Sequence, residues 1–147
     1  ITGNLERIGD YAKNMAKRTN VLAHMTPVEG ARGALRRMAR EVQLMLKDAL
    51  DAFIQRDAEL AHDILARDRD IDQMYNALFR EFRADMERHQ LPVVPCVHLH
   101  FIAKNTERMG DHVTSIAEQV IYLVTGSMPD DNRPKGDHYT QDMNVVS

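Results

Sequence analysis

An all-α fold, an antiparallel bundle of long helices, follows from three features of the sequence. Apolar residues recur at three- and four-residue intervals through most of the chain. No segment reads as a strand. Aromatic residues make up only 5%, Trp is absent and Met occurs nine times, which suits helices packed through aliphatic side chains. The 147 residues suit one domain.

Four helices are predicted in order. The first spans about Ile1 to Ala23, with Ile1, Leu5, Ile8, Ala12, Met15, Thr19 and Leu22 as its apolar stripe. Pro27 and Gly30 then break the pattern. The second spans about Ala31 to Arg56, with Leu35, Met38, Val42, Met45, Ala49 and Phe53 in register. The third spans about Asp57 to His89 on Leu60, Ile64, Ile71, Tyr75, Leu78 and Phe82, and the stretch from Leu91 to Pro95 ends it. The fourth spans about Cys96 to Thr125, with Ile102, Met109, Val113, Ile116, Val120 and Leu123 on one side and Gly126 as its stop. Short connections favour antiparallel neighbours. Past Gly126 the chain is rich in Pro, Gly, Asp and Asn, so residues 127–147 are expected to form a mobile tail.

Composition narrows the functional classes. A net charge of −3, from 19 basic and 22 acidic residues, argues against a nucleic-acid binder, which usually carries a basic field. A single cysteine, Cys96, excludes an internal disulfide and a Cys-based zinc site, and it fits a reducing cytoplasm. No run of about 18 apolar residues is present to form a membrane span. Ile1 stands where an initiator Met is expected, and the first helix reads as though entered midway. The expectation is a piece of a longer protein.

The sequence also repeats itself. Asn4-Leu5-Glu6-Arg7-Ile8-Gly9-Asp10 matches Asn105-Thr106-Glu107-Arg108-Met109-Gly110-Asp111 at an offset of 107 − 6 = 101 residues, and Ala16 with Ala117 and Leu22 with Leu123 continue the match. A period this long exceeds a solenoid unit. It suggests two tandem three-helix bundles, each closing on the marked helix. Residues 1–24 are then the last helix of a first repeat, and 31–126 a complete second repeat.

Each marked helix carries two acids one turn apart, Glu6 with Asp10 and Glu107 with Asp111, and such pairs share a helix face. Stepping 100° per residue from Met109, Glu107 falls at about 160° and Asp111 at about 200°. The acids are therefore expected to point away from the core stripe. A third pair, Asp68 with Asp72, is placed on the shoulder of the third helix, where an antiparallel fourth helix brings Glu107 and Asp111 within reach. Like charges at this spacing repel by a few tenths of a kcal/mol, which bound hard cations or iron would offset. The plainer reading is a solvated acidic face neutralised by Arg7, Arg108 or Lys104.

His98, His100 and His112 diverge from one another and suit surface or capping roles better than metal ligation. Gly9 and Gly110 each cost roughly 1 kcal/mol in mid-helix relative to Ala, so close helix approach or access to a site is expected there. Asp48 and Asp51 carry no ligand signature. No Walker-type phosphate loop is present, and no Ser or Cys has a base beside it in sequence.

The stretch Ile102 to His112, its continuation Ile116 to Gly126, the related Asn4 to Asn14, and the middle segment (Met45 to Phe53, Asp57, Asp68 to Asp72, Met74 and Tyr75) resemble the PhoU family over about residues 1–126. The resemblance implies two three-helix bundles and a non-enzymatic regulator of phosphate uptake that restrains phosphate-starvation signalling. It implies partners in the phosphate sensor histidine kinase and the ATPase subunit of the phosphate ABC transporter, and a peripheral position at the inner membrane through those partners. The first helix has an apolar stripe without the mates a first repeat would give it, so a homodimer that covers this surface is also expected. It also implies cations (Fe, Mn, Mg or Zn) at Asp68, Asp72, Glu107 and Asp111, with Glu6 and Asp10 as half of a second site. The alternative is a helical carboxylate protein that binds or stores metal without signalling.

Overall fold

The computed structural model describes residues 1–25, 31–87 and 93–129. Four helices account for them: α1 (Thr2–Leu22), α2 (Ala31–Gln55), α3 (Ala58–Glu87) and α4 (Val93–Thr125). No strand occurs among the described residues. The expected breaks at Pro27 and Gly30, the α3 end near His89 and Leu91, and the tail beyond Pro129 lie outside the described residues.

The bundle is built around α4, which packs on α1, α2 and α3, while α2 also packs on α3. Being covered from several sides, α4 buries residues nearly all round its axis, from Pro95 to Ile121. Its first turn begins at Val93, three residues before the expected start. Pro95 fits there because the first-turn N–H groups lack helical partners in any case.

The stripes predicted for α2 and α3 are the ones buried. Met38, Val42, Met45 and Ala49 meet Ile64, Ile71, Tyr75, Leu78 and Phe82 in one core. The α2–α3 junction needs only two residues. Arg56 adopts the left-handed conformation at φ 56°, and the Asp57 N–H donates to the Ala52 carbonyl at 2.9 Å, closing α2. The Asp57 carboxylate then accepts from the Leu60 N–H at 3.0 Å and caps α3. At the far end Gly126, at φ 77°, donates to the Tyr122 carbonyl and terminates α4 as expected.

On α1 the seam differs from the expected stripe. The residues shielded from solvent are Ile1, Asn4, Ile8, Tyr11, Met15, Arg18, Leu22 and Met25, a strict three–four alternation. Leu5, Ala12 and Thr19, assigned to the stripe by their apolarity, are exposed. On α4, Leu123 likewise lies at the surface.

Candidate functional site

Asp68 of α3 and Glu107 of α4 are both buried, which corrects the expected outward placement. Asp68 is only 2% exposed. It occupies a seam position of α3, between Ile64 and Ile71, rather than the shoulder of the bundle. Space for its carboxylate comes from Gly110: a Cβ added there would stand 3.3 Å from Asp68 Oδ1 and 3.8 Å from Ile71 Cγ2 and Val42 Cγ2. Gly110 therefore serves close helix approach. Its repeat partner Gly9 has nothing within 4 Å and does not.

Glu107 is 7% exposed and buried as well. Glu107 does lie opposite the stripe through Met109, but that stripe is not the sole core face of α4. α4 has neighbours on its other sides, so a residue opposite that stripe is also covered. Met109 itself is only half-buried.

The Lys104 ammonium neutralises Glu107, with Nζ 2.9 Å from Oε1 one turn away. The same Nζ stands 5.0 Å from the centre of the Tyr75 ring, a cation–π contact reaching across from α3. Tyr75, Phe79 and His100 gather beside it with ring centroids 5.4–6.5 Å apart. Burial of the His100 imidazole, reinforced by the nearby Lys104 charge, pushes its pKa below the ordinary value, and Glu107 opposes the shift.

Gly110 against Asp68 and Lys104 against Tyr75 fix the antiparallel register of α3 and α4. That register sets Asp72 near the level of Glu107, and Asp68 near that of Asp111. Asp72 and Asp111 are half-buried, whereas Glu6 and Asp10 are exposed on α1. Among the described residues, no three His, Cys, Asp or Glu side chains converge closely enough to hold a metal ion. The positive charge beside Glu107 is the Lys104 ammonium.

Two histidines join α1 to α4. His112 Nδ1 lies 2.9 Å from Asn4 Oδ1, and its ring is 5.8 Å from that of Tyr11. Arg18 Nη1 donates to His98 Nδ1 at 3.0 Å, and its guanidinium lies 4.0 Å over the Phe101 ring. These pairings escape periodicity, because each member is polar or exposed-looking in its own helix. The 101-residue offset held the one signal: Tyr11 and His112 are repeat equivalents, and they touch.

Elsewhere Arg67 bridges α3 to α2 through Glu41 at 2.9 Å and Asp48 at 2.6 Å. No helix among the described residues is long and apolar enough to cross a membrane.

Residues 35–120 match the PhoU domain family. The chain is 44% identical over 138 residues to the phosphate-specific transport system accessory protein PhoU homolog of Rhizobium meliloti, covering 93% of this chain and 58% of the relative. It is 41% identical over 141 residues to the Caulobacter vibrioides homolog of the same name, covering 96% and 61%. The crystal structure of the phosphate transport system regulatory protein PhoU from Streptococcus pneumoniae superposes with a TM-score of 0.78 at 32% identity, over 87% of this chain and 60% of that one. The chain thus spans about three fifths of the length of the relatives it matches. With the domain match extending over well more than half of its residues, the chain belongs to the PhoU family.

Proposed function

We propose that this chain is a non-enzymatic regulatory adaptor of phosphate uptake, working through protein–protein contacts at the cytoplasmic face of the inner membrane. The observation that carries the reading is its 44% identity, over 93% of its length, to a protein named as an accessory of the phosphate-specific transport system. The helical bundle suits the role: a rigid central α4 holds α1, α2 and α3 with their outer faces turned to solvent.

The partners are the phosphate sensor histidine kinase and the ATPase subunit of the phosphate transporter, with dimerisation of the chain as part of the same assembly. Binding to them restrains phosphate-starvation signalling when phosphate is plentiful. Where a divalent or iron cation takes part, Glu107, Asp111, Asp68 and Asp72 would hold it, and Lys104 would have to release Glu107. The alternative is a helical carboxylate protein that binds or stores metal without signalling; metal content of the purified chain together with loss of partner binding would favour it.

The test is a pull-down of purified sensor kinase and purified transporter ATPase on the immobilised 147-residue chain. Retention of at least one of them is expected. Failure to retain either, with and without phosphate, overturns the adaptor reading.

A further inference from the structure

The outer face of α2 carries more positive charge than folding explains. Arg36, Arg37 and Arg40 fall within its first three turns, all exposed. No acidic residue occupies the first turn to offset the positive end of the helix dipole. Arg36 and Arg40 are also one turn apart, a spacing at which like charges repel. None of these three arginines forms an ion pair or hydrogen bond among the described residues. In a chain of net charge −3, this is a local basic stripe set against the overall balance.

Arg36, Arg40 and Lys47, with Ala39, Gln43 and Leu44 between them, share one outward face of α2. Lys47 is shared with Asp51 at 3.4 Å, an exposed pair that holds it only weakly. Arg36 and Ala39 also line a hollow of about 380 Å³ formed by α1, α2 and α4. Its walls and floor are largely apolar, including Met15, Leu22, Leu35, Leu99 and Ile102. The hollow and the basic face of α2 meet at Arg36 and Ala39 and form one surface, an apolar slot with a basic rim.

We propose that this surface docks an amphipathic helix of a partner protein, with the partner's apolar stripe in the slot and acidic residues along its flank on Arg36, Arg40 and Lys47. Slot and rim match the two faces of such a helix, and opposite charge on the rim sets orientation and speeds encounter. A lipid bilayer fits less well. Leu44 is the one large apolar side chain on the basic face of α2, and the chain's net negative charge opposes an anionic membrane.

This inference deepens the adaptor reading and rests on it. The tests remain distinct, because kinase or ATPase could bind through another face while the slot stays empty. The probe is a fluorescent synthetic helix of about 20 residues, with Leu at i, i+3, i+4 and i+7 and Glu on its flank, against the same helix with Gln for Glu. Saturable binding of the Glu peptide to the full chain is expected, weakening as salt rises from about 50 to about 300 mM. Arg36→Glu/Arg40→Glu should weaken binding about tenfold or more. Arg69→Glu/Arg80→Glu, exposed on α3, should leave it within about twofold, with circular dichroism confirming that both variants fold. Three results overturn the proposal: no binding of the Glu peptide at about 100 µM, equal binding of the Gln peptide, or no effect of the α2 charge reversal. It is equally overturned if the reversal instead abolishes binding to phosphatidylglycerol vesicles or dissociates a dimer in light scattering while peptide binding persists. Those outcomes would assign the surface to a membrane or to a second copy.

Discussion

The two repeat-related glycines should respond differently to the same substitution. Ala is favoured over Gly in a helix interior by about 0.8–1.0 kcal/mol. Gly9 has nothing within 4 Å of a new Cβ, so Gly9→Ala should realise that gain and raise Tm by about 2–4 °C in a domain of this size. At Gly110 the same Cβ meets Asp68 Oδ1 at 3.3 Å. The Asp68 carboxylate is buried in the α3 seam, where giving way disturbs the packing on Ile71 and Val42. Overfilling a packed interior costs about 1–3 kcal/mol, which cancels or exceeds the propensity gain. Gly110→Ala should therefore be neutral or destabilising by up to about 2 kcal/mol. Urea denaturation followed by circular dichroism measures both. A double-mutant cycle assigns the cause: with Asp68→Ala in the background the obstructing oxygen is gone, and Gly110→Ala should become stabilising. An equal rise in midpoint for Gly9→Ala and Gly110→Ala in the otherwise native chain would refute the steric argument.

Lys104→Met keeps a side chain over Tyr75 but removes the ammonium from Glu107, whose side chain is 10% exposed. It should cost about 1–3 kcal/mol, since the carboxylate stays buried without its partner. Glu107→Gln added to that variant should recover part of the loss, and no recovery in urea midpoint would remove the lysine's role as countercharge. His100 gives a pH signature. Its folded pKa lies below the ordinary imidazole value of about 6.5, so between the two the unfolded chain binds more protons. Stability from this group is complete above about pH 6.5 and is lost as pH falls towards the folded pKa. His100→Phe should flatten that part of the stability–pH curve relative to the native chain. Coincident slopes for the two between about pH 7 and about pH 5 would show that the group does not contribute.

The architecture was legible because its determinants are local. The α2 and α3 stripes follow from helical period, and Gly126 marks its own stop. The α2–α3 boundary could be placed at Arg56 and Asp57 without any Gly or Pro. The candidate site was legible only as a pairing: Asp68 and Asp72 on one helix opposite Glu107 and Asp111 on the next. Its depth was not, because burial depends on how many neighbours a helix has, and a stripe records only one of them. Asp68 shows the limit most directly. Ile64, Asp68, Ile71 and Tyr75 follow the seam spacing, yet a charge in a core slot reads from sequence as an interruption. Only the glycine at position 110 of another helix makes room for it.

On α1 the apolar pattern and the packed seam share Ile1, Ile8, Met15 and Leu22 and differ in the positions between. Apolarity selects Leu5, Ala12 and Thr19; the structure selects Asn4, Tyr11 and Arg18. The choice belongs to α4, whose facing surface presents His112, His98 and Phe101. Asn4 bonds to His112, Tyr11 packs on it, and Arg18 engages the other two. Polar residues in a helical seam weaken it relative to apolar ones, but they admit one register, since a slip leaves each of them unpaired. The apolar pattern nevertheless carried information. At the 101-residue offset, Leu5, Ala12 and Thr19 correspond to Thr106, Val113 and Val120, each at most 1% exposed within α4. The same stripe is thus a covered face in one copy of the motif and an open one in the other, and α1 meets α4 along a different, polar edge. Periodicity finds which face of a helix is apolar; the chemistry of the facing helix decides which edge it meets.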